Sequence, residues 1–353
     1  MDDTRREFLD DLLETATPSG FETAGQRVWL DYVAEFADEV RTDDYGNAIA
    51  VYDGGGDLDV LLGGHADEIG LMVRDVTDDG YLRLTRVGGA DKTVTRGQYV
   101  TVHGRDGPVP GVVGQVAIHL RDPSDEDTSD ITEMHVDVGA ADEDEARALV
   151  EVGDPITFDT GVQDLAGTLV AARGMDNRTG IWAAAEGLRR AAERDADATV
   201  HAVSTVQEEI GRQGAKMVSF DLDPDVAIAT DVTHATDTPE APTDKGSSIE
   251  LGAGPVVGRG SSNHPVAVDA ARIVAADAEI DVQLSADGIT TGTDADAFYT
   301  SRSGVPTLCL SVPNRYMHTP VEVIDTDDLD EVAELMGAFA ARAHEFAPFR
   351  VEV

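Results

Sequence analysis

Five side chains of metal-binding type fall at the ends of expected strands or in the loops after them. They are His65 in Gly64-His65-Ala66-Asp67-Glu68, Asp176 in Gly174-Met175-Asp176-Asn177-Arg178, Glu209 in Gln207-Glu208-Glu209-Ile210-Gly211, Asp231 in Ala229-Thr230-Asp231-Val232-Thr233, and His318 in Arg315-Tyr316-Met317-His318-Thr319-Pro320. The carboxyl ends of strands are where open α/β sheets build their sites, so segments distant in sequence can converge there. Two imidazoles and three carboxylates suffice for two divalent ions, with one carboxylate bridging a gap of roughly 3.5–4 Å. This donor set suits Zn²⁺, Co²⁺ or Mn²⁺. A position left open on each ion accommodates a bridging water, which two cations make acidic enough to be a nucleophile near neutral pH.

Glu208 directly precedes Glu209, and neighbours on an extended segment point in different directions, so one can bind metal while the other faces the water. Glu208 is therefore read as the general base, taking the proton from water and passing it to the leaving amine. Asp67, two residues after His65, is placed to hydrogen-bond that ligand's free ring nitrogen and set its tautomer. Each motif alone has a plainer reading: a surface turn for His-Ala-Asp, a solvated pair for Glu208-Glu209, an N-cap for Asp176-Asn177-Arg178. With 69 Asp and Glu in the chain, a single acid carries almost no information. Order and strand-end placement carry it.

The elements that must position these residues are legible as alternating patterns. Phe8, Leu9, Leu12 and Leu13, then Val28, Tyr32, Val33 and Phe36, recur at helical spacing on either side of the turn Pro18-Ser19-Gly20. Strands are expected over 47–52 and 60–62, the second running into His65. From about Gly70 to Gly167, short β-propensity runs separated by Gly, Asp and Pro turns predict a small all-β barrel or sandwich, with an acidic loop, expected to be mobile, over Arg121 to Asp130. After Gly174 a helix from Thr179 to Glu193, strands over 199–206, 226–230 and 306–311, and helices over 266–276 and 327–346 predict a mainly parallel sheet flanked by helices. The expected organisation is an α/β catalytic domain of residues 1–69 and 168–353 with a β module, 70–167, inserted.

Composition bounds the function. The chain has 353 residues and a formal net charge of −43, with Lys92, Lys216 and Lys245 its only lysines. Such acidity excludes the basic footprint of a nucleic-acid binder. It fits a halophilic protein, because in molar salt the Debye length falls to roughly 3 Å and self-repulsion is screened. Cys309 is the single cysteine, which excludes a disulfide framework or a thiolate metal site and suggests a small core residue. No apolar signal core opens the sequence and no run of 18 apolar residues occurs in it, so a soluble cytoplasmic protein is expected.

The motifs around His65, Asp176, Glu208-Glu209, Asp231 and His318, with Gly292-Thr293-Asp294-Ala295, resemble in order the signatures of the M42 metallo-aminopeptidases, which include glutamyl aminopeptidases and self-compartmentalising tetrahedral enzymes. The resemblance covers essentially the whole chain. It implies that His65, Asp176 and Asp231 bind one metal and that Asp176, Glu209 and His318 bind the other, with Asp176 bridging, Glu208 as base and Asp67 behind His65. It also implies a PDZ-like, dimerising β-barrel near 70–167, assembly of dimers into a hollow dodecamer, and peptide substrates cut from the N-terminus. The alternatives are a di-metal hydrolase of acylated amino acids or carboxypeptidase substrates, a glycoside hydrolase, and a non-catalytic scaffold. Aromatics at 5% leave few platforms for a sugar, and the histidine motifs would then have no purpose.

Overall fold

The computed structural model describes residues 1–121, 129–239, 241 and 248–353. Residues 122–128 of the acidic loop and Lys245 lie outside them. The centre is an eight-stranded sheet in the order Glu39–Thr42, Ala48–Asp53, Thr199–Thr205, Asp59–His65, Val226–His234, Thr307–Asn314, Val256–Arg259, Gln283–Ala286. Its middle four strands pair in parallel, so their carboxyl ends emerge on one edge. Antiparallel pairings flank them: 48–53 with 39–42 and 199–205 on one side, 256–259 with 307–314 on the other.

Alternation along the strands sorts side chains between two helical layers. Val60, Leu62, Val200, Ala202, Val226, Ile228, Leu308 and Leu310 belong to one apolar cluster with Trp29, Trp182 and Leu335, whereas Leu61, Val203, Ala227, Ala229 and Cys309 belong to a second with Val218 and Phe298. The first layer contains Asp3–Glu14, Thr23–Val33, Met175–Glu193 and Thr326–Arg342; the second contains Gln213–Leu222 and the short Ala295–Phe298. Gly64 lets the helix Met175–Glu193 approach the sheet, since a Cβ there would lie 2.6 Å from the Gly180 carbonyl carbon. Cys309 is buried, as its apolar run suggests.

Five residues after His65 the chain enters a closed six-stranded barrel of Gly70–Val76, Leu82–Val87, Tyr99–Gly104, Gly107–Val113, His135–Asp137 and Pro155–Phe158. Every pairing in it is antiparallel, and Leu71, Val73, Leu82, Leu84, Val100, Val102 and Ile156 alternate into its core. Of the two β architectures expected here, the barrel is the one formed. A small antiparallel sheet of Gln163–Asp164, Leu169–Ala172 and Glu322–Asp325 leads the chain back to the helix that carries Asp176. Among the described residues no helix is long and apolar enough to cross a membrane.

Two element boundaries differ from expectation for reasons that matter to the site. The helix expected from Thr179 is preceded by a turn, Met175 to Asn177, in which Asp176 and Asn177 leave helical φ/ψ and the Asp176-Asn177 peptide is cis. Asn177 then caps the helix proper, its Oδ1 accepting from Gly180 N at 2.9 Å. The strand expected over 226–230 continues to His234, paired as far as Asn314. Asp231, Thr233 and His234 at its end line a cleft, so the apolar signal stops before the hydrogen bonding does.

Candidate metal centre

All five metal-type side chains converge at the carboxyl edge of the central strands and form two groups, His65/Asp176/Asp231 and Asp176/Glu209/His318. Register explains part of this: Thr205 pairs with His65 and Ala229 with Gly63, so Asp231 emerges beside His65. Asp176 belongs to both groups because its oxygens diverge. Oδ1 lies 3.2 Å from His65 Nε2, and Oδ2 lies 3.3 Å from His318 Nε2. Asp231 Oδ1 is 3.7 Å from His65 Nε2, and Glu209 Oε1 is 3.7 Å from His318 Nε2. Ligands on an ion with bonds of about 2.0–2.1 Å sit about 3.3–3.4 Å apart along a tetrahedron edge, so both groups fit a divalent cation with N and O donors.

Glu208 stands beside the first group, Oε2 4.0 Å from His65 Nε2. Asp67 faces the other ring nitrogen of His65, Nδ1, through two of its atoms. His65 Nδ1 is nearer the Asp67 main-chain oxygen, at 3.1 Å, than its carboxylate, at 3.4 Å. A carbonyl can only accept, so Nδ1 carries a proton, and Nε2, which faces Asp176 and Asp231, is the ring nitrogen available to a metal ion. The Asp67 carboxylate also accepts from Glu208 N at 2.9 Å, Glu209 N at 3.1 Å and Ser19 Oγ at 2.6 Å. It fixes the backbone of the Glu208-Glu209 pair.

Further acids support the site, and two of them, Glu322 and Glu22, had no individual signal in the sequence. Glu322 is buried and accepts from Asp176 N at 3.0 Å and His318 N at 2.8 Å, thereby holding the backbone of the shared carboxylate and of one histidine of the second group. Glu22, from the turn after the first helix, accepts from Gln207 N at 3.1 Å. It steadies a non-glycine residue at φ +58, a conformation that costs about 1–2 kcal/mol per residue. Asp294, from the motif Gly292-Thr293-Asp294-Ala295, is buried and accepts from Thr205 Oγ1 at 2.5 Å, while Thr291, Gly292 and Thr293 form one wall of the cleft. The cleft has a volume of about 480 Å³ and also takes in Arg212, Met317 and Gly89. Below it Glu68, fully buried, accepts from Arg173 and Thr17 N and pairs with Arg178 at 2.9 Å, tying the loop after His65 to the helix start.

The electrostatics fit a site built around cations. Burial pushes Glu208 up to about 9 and Glu322 up to about 8, and raises Glu209 and Asp231 as well. Burial alone would also raise Asp176, but hydrogen bonds from His318 and His65 hold it well below the usual carboxylate range. His65 is held well above the imidazole range because Asp231, Asp176 and Asp67 outweigh its burial, and His318 is raised first by its hydrogen bond to Asp176. Buried acids in such number need counter-charge, and a divalent ion in each group would supply it.

A mixed sheet whose parallel core delivers two overlapping N/O ligand groups to one cleft defines a metallohydrolase. Residues 46–335 match the M42 glutamyl aminopeptidase family, and the chain belongs to that family. It is 36% identical over 337 residues to the lysyl aminopeptidase of Pyrococcus furiosus, covering 94% of this chain and 95% of that one. A TET aminopeptidase from the marine sediment archaeon Thaumarchaeota archaeon SCGC AB-539-E09 superposes with a TM-score of 0.92 at 29% identity, covering 99% of this chain and 100% of that chain. The TET1 peptidase of Pyrococcus horikoshii, which can assemble into a tetrahedron or a large octahedral shell, superposes at 0.85 with 30% identity, covering 95% and 99%. The chain is thus a peptidase hydrolase of aminopeptidase type.

Proposed function

We propose that the protein is a di-metal aminopeptidase that removes residues from the N-termini of peptides. The observation that supports this reading is the divergence of the two Asp176 oxygens toward two histidines, each with its own further carboxylate. His65, Asp176 and Asp231 would hold one ion and Asp176, Glu209 and His318 the other, with Zn²⁺ or Co²⁺ suiting the donors. Such ions supply Lewis acidity, lowering the pKa of water in the cleft and polarising a carbonyl. Glu208 takes a proton from the water as its oxygen attacks the scissile carbonyl carbon, and delivers a proton to the amine as the C–N bond breaks. Asp67 keeps Glu208 in position by binding its main-chain N–H. A cleft this rich in carboxylates suits a free α-ammonium, which favours exopeptidase over endopeptidase cleavage.

In this reading residues 1–69 and 168–353 form the catalytic domain, and 70–167 form the module through which chains dimerise. Dimers would then assemble into a dodecamer, as the tetrahedral relatives suggest; light scattering at the mass of twelve 37.4-kDa chains tests that step. The central experiment compares a peptide with a free N-terminus and its N-acetylated twin, with Zn²⁺ or Co²⁺ present and after chelation. Stepwise shortening of the free peptide alone, lost on chelation and restored by metal, is expected. Cleavage of the blocked peptide, or indifference to chelation, would overturn the assignment.

A further inference from the structure

All five ligands stand on the α/β part of the molecule, but the two groups do not have the same neighbours. His65 and Asp231 stand on adjacent central strands and Asp176 at a helix start, so the first group lies entirely on the α/β layer. In the second group, Glu209 follows the strand Thr199–Thr205, and His318 lies beyond Thr307–Asn314 with its backbone at φ +65. Its main chain is held by Glu322, but its ring is partly exposed. The surface that meets the far edge of that ring comes from the barrel: the corner Gly88-Gly89, between the strand Leu82–Val87 and the short helix Lys92–Thr95.

The fit there is too close for any side chain. A Cβ on Gly89 would lie 2.5 Å from His318 Nδ1 and 2.7 Å from its Cε1, well inside the roughly 3.5–4.0 Å of normal contact. Gly89 does not use a left-handed backbone, so space against the ring, rather than backbone freedom, is what demands glycine. Gly88, whose φ of +65 itself favours glycine, lies close to the partner ligand, its Cβ position being 3.1 Å from both Cβ and Oε2 of Glu209 and 2.9 Å from Ile69 Cγ2.

We infer that the Gly88-Gly89 corner is a positioning element for the second metal group, holding the His318 ring and Glu209 in place from the barrel, whereas the first group stands without the barrel. This inference rests on the two-ion reading. With Nε2 aimed at Asp176 and Glu209 and its other edge against a backbone that admits no Cβ, the His318 ring has one orientation in which it can act as a ligand. Moving the corner, by substitution or by a shift of the barrel, loosens Glu209 and His318 and leaves His65 and Asp231 as they were.

The test is Gly89→Ala, with Gly114→Ala as control because a Cβ at that barrel glycine meets nothing within 4 Å. Metal-free protein is titrated with Co²⁺ in the intact chain, following stoichiometry by elemental analysis and the two affinities by calorimetry and visible absorption. Two ions are expected on the unsubstituted chain and on Gly114→Ala. In Gly89→Ala, one affinity is expected to be unchanged and the other about 10- to 100-fold weaker, the range for losing an outer support of a metal ligand. The retained tight ion shows that the variant is folded. Two unchanged affinities, or equal weakening of both, would overturn the inference. A single ion on the unsubstituted chain would instead overturn the two-ion reading, so the two failures are distinguishable.

Discussion

Glu208 is mostly buried, belongs to neither ligand group, and faces His65 across 4.0 Å. Its main-chain tie to Asp67 does not involve its side chain, so Glu208→Gln preserves the backbone and both ligand groups while removing the proton acceptor. The expected outcome is full metal content with kcat reduced about 10²- to 10⁴-fold, measured on an aminoacyl-anilide beside elemental analysis. Near-normal turnover would remove Glu208 from the role of base. The acid doublet was legible in the sequence because two adjacent carboxylates after a strand form a pattern. Glu322 and Glu22 were not, because each is a lone acid among 69 and acts on a main-chain N–H supplied by a distant segment. Such a role exists only once two remote pieces of chain meet.

The helix Met175–Glu193 and the strand Asp59–His65 are the elements whose separation sets the site, for they carry Asp176 and His65. Their contact is glycine on glycine at Gly64 and Gly180. In Gly64→Ala the new methyl forces the helix away, an overpacking cost of about 1–3 kcal/mol. Chemical denaturation should show that loss, and metal titration should show weakening of both groups together, because Asp176 belongs to both. A variant as stable and as metal-loaded as the parent would show that the close approach does not govern the site. The same elements show how far periodicity reaches. Buried parallel strands were visible as apolar runs, but the run in Val226–His234 ends where Asp231 begins to face the cleft. Antiparallel edge pairing left no comparable mark, since the strand Ala48–Asp53 is as apolar at its start as its parallel neighbours.

For the whole molecule, the excess of 69 acids over 26 basic residues dominates the surface field. Raising salt from 0.1 M to 1 M shortens the Debye length from about 10 Å to about 3 Å, which relieves repulsion between exposed carboxylates while leaving buried pairs such as Glu68 with Arg178 nearly untouched. The melting temperature and the proportion of assembled chains are therefore expected to rise together with KCl. A melting temperature indifferent to salt would exclude the halophilic reading without bearing on the metal centre. The division into an α/β sheet and a β-barrel was legible because texture changes sharply near Gly70; the junction between them was not, because Gly88 and Gly89 look like any other turn until the His318 ring is seen against them.

Cys309 gives the molecule a reporter that needs no engineering. Its thiol lies in the sheet opposite Ala229, two residues before the strand position paired with Asp231, and burial pushes its pKa up to about 12. A thiol so buried and so weakly ionised is inert to alkylating reagents in the closed state. Its rate of modification therefore clocks the opening of the strands that hold Asp231, and following that rate with and without metal would measure how firmly bound ions lock the centre of the sheet.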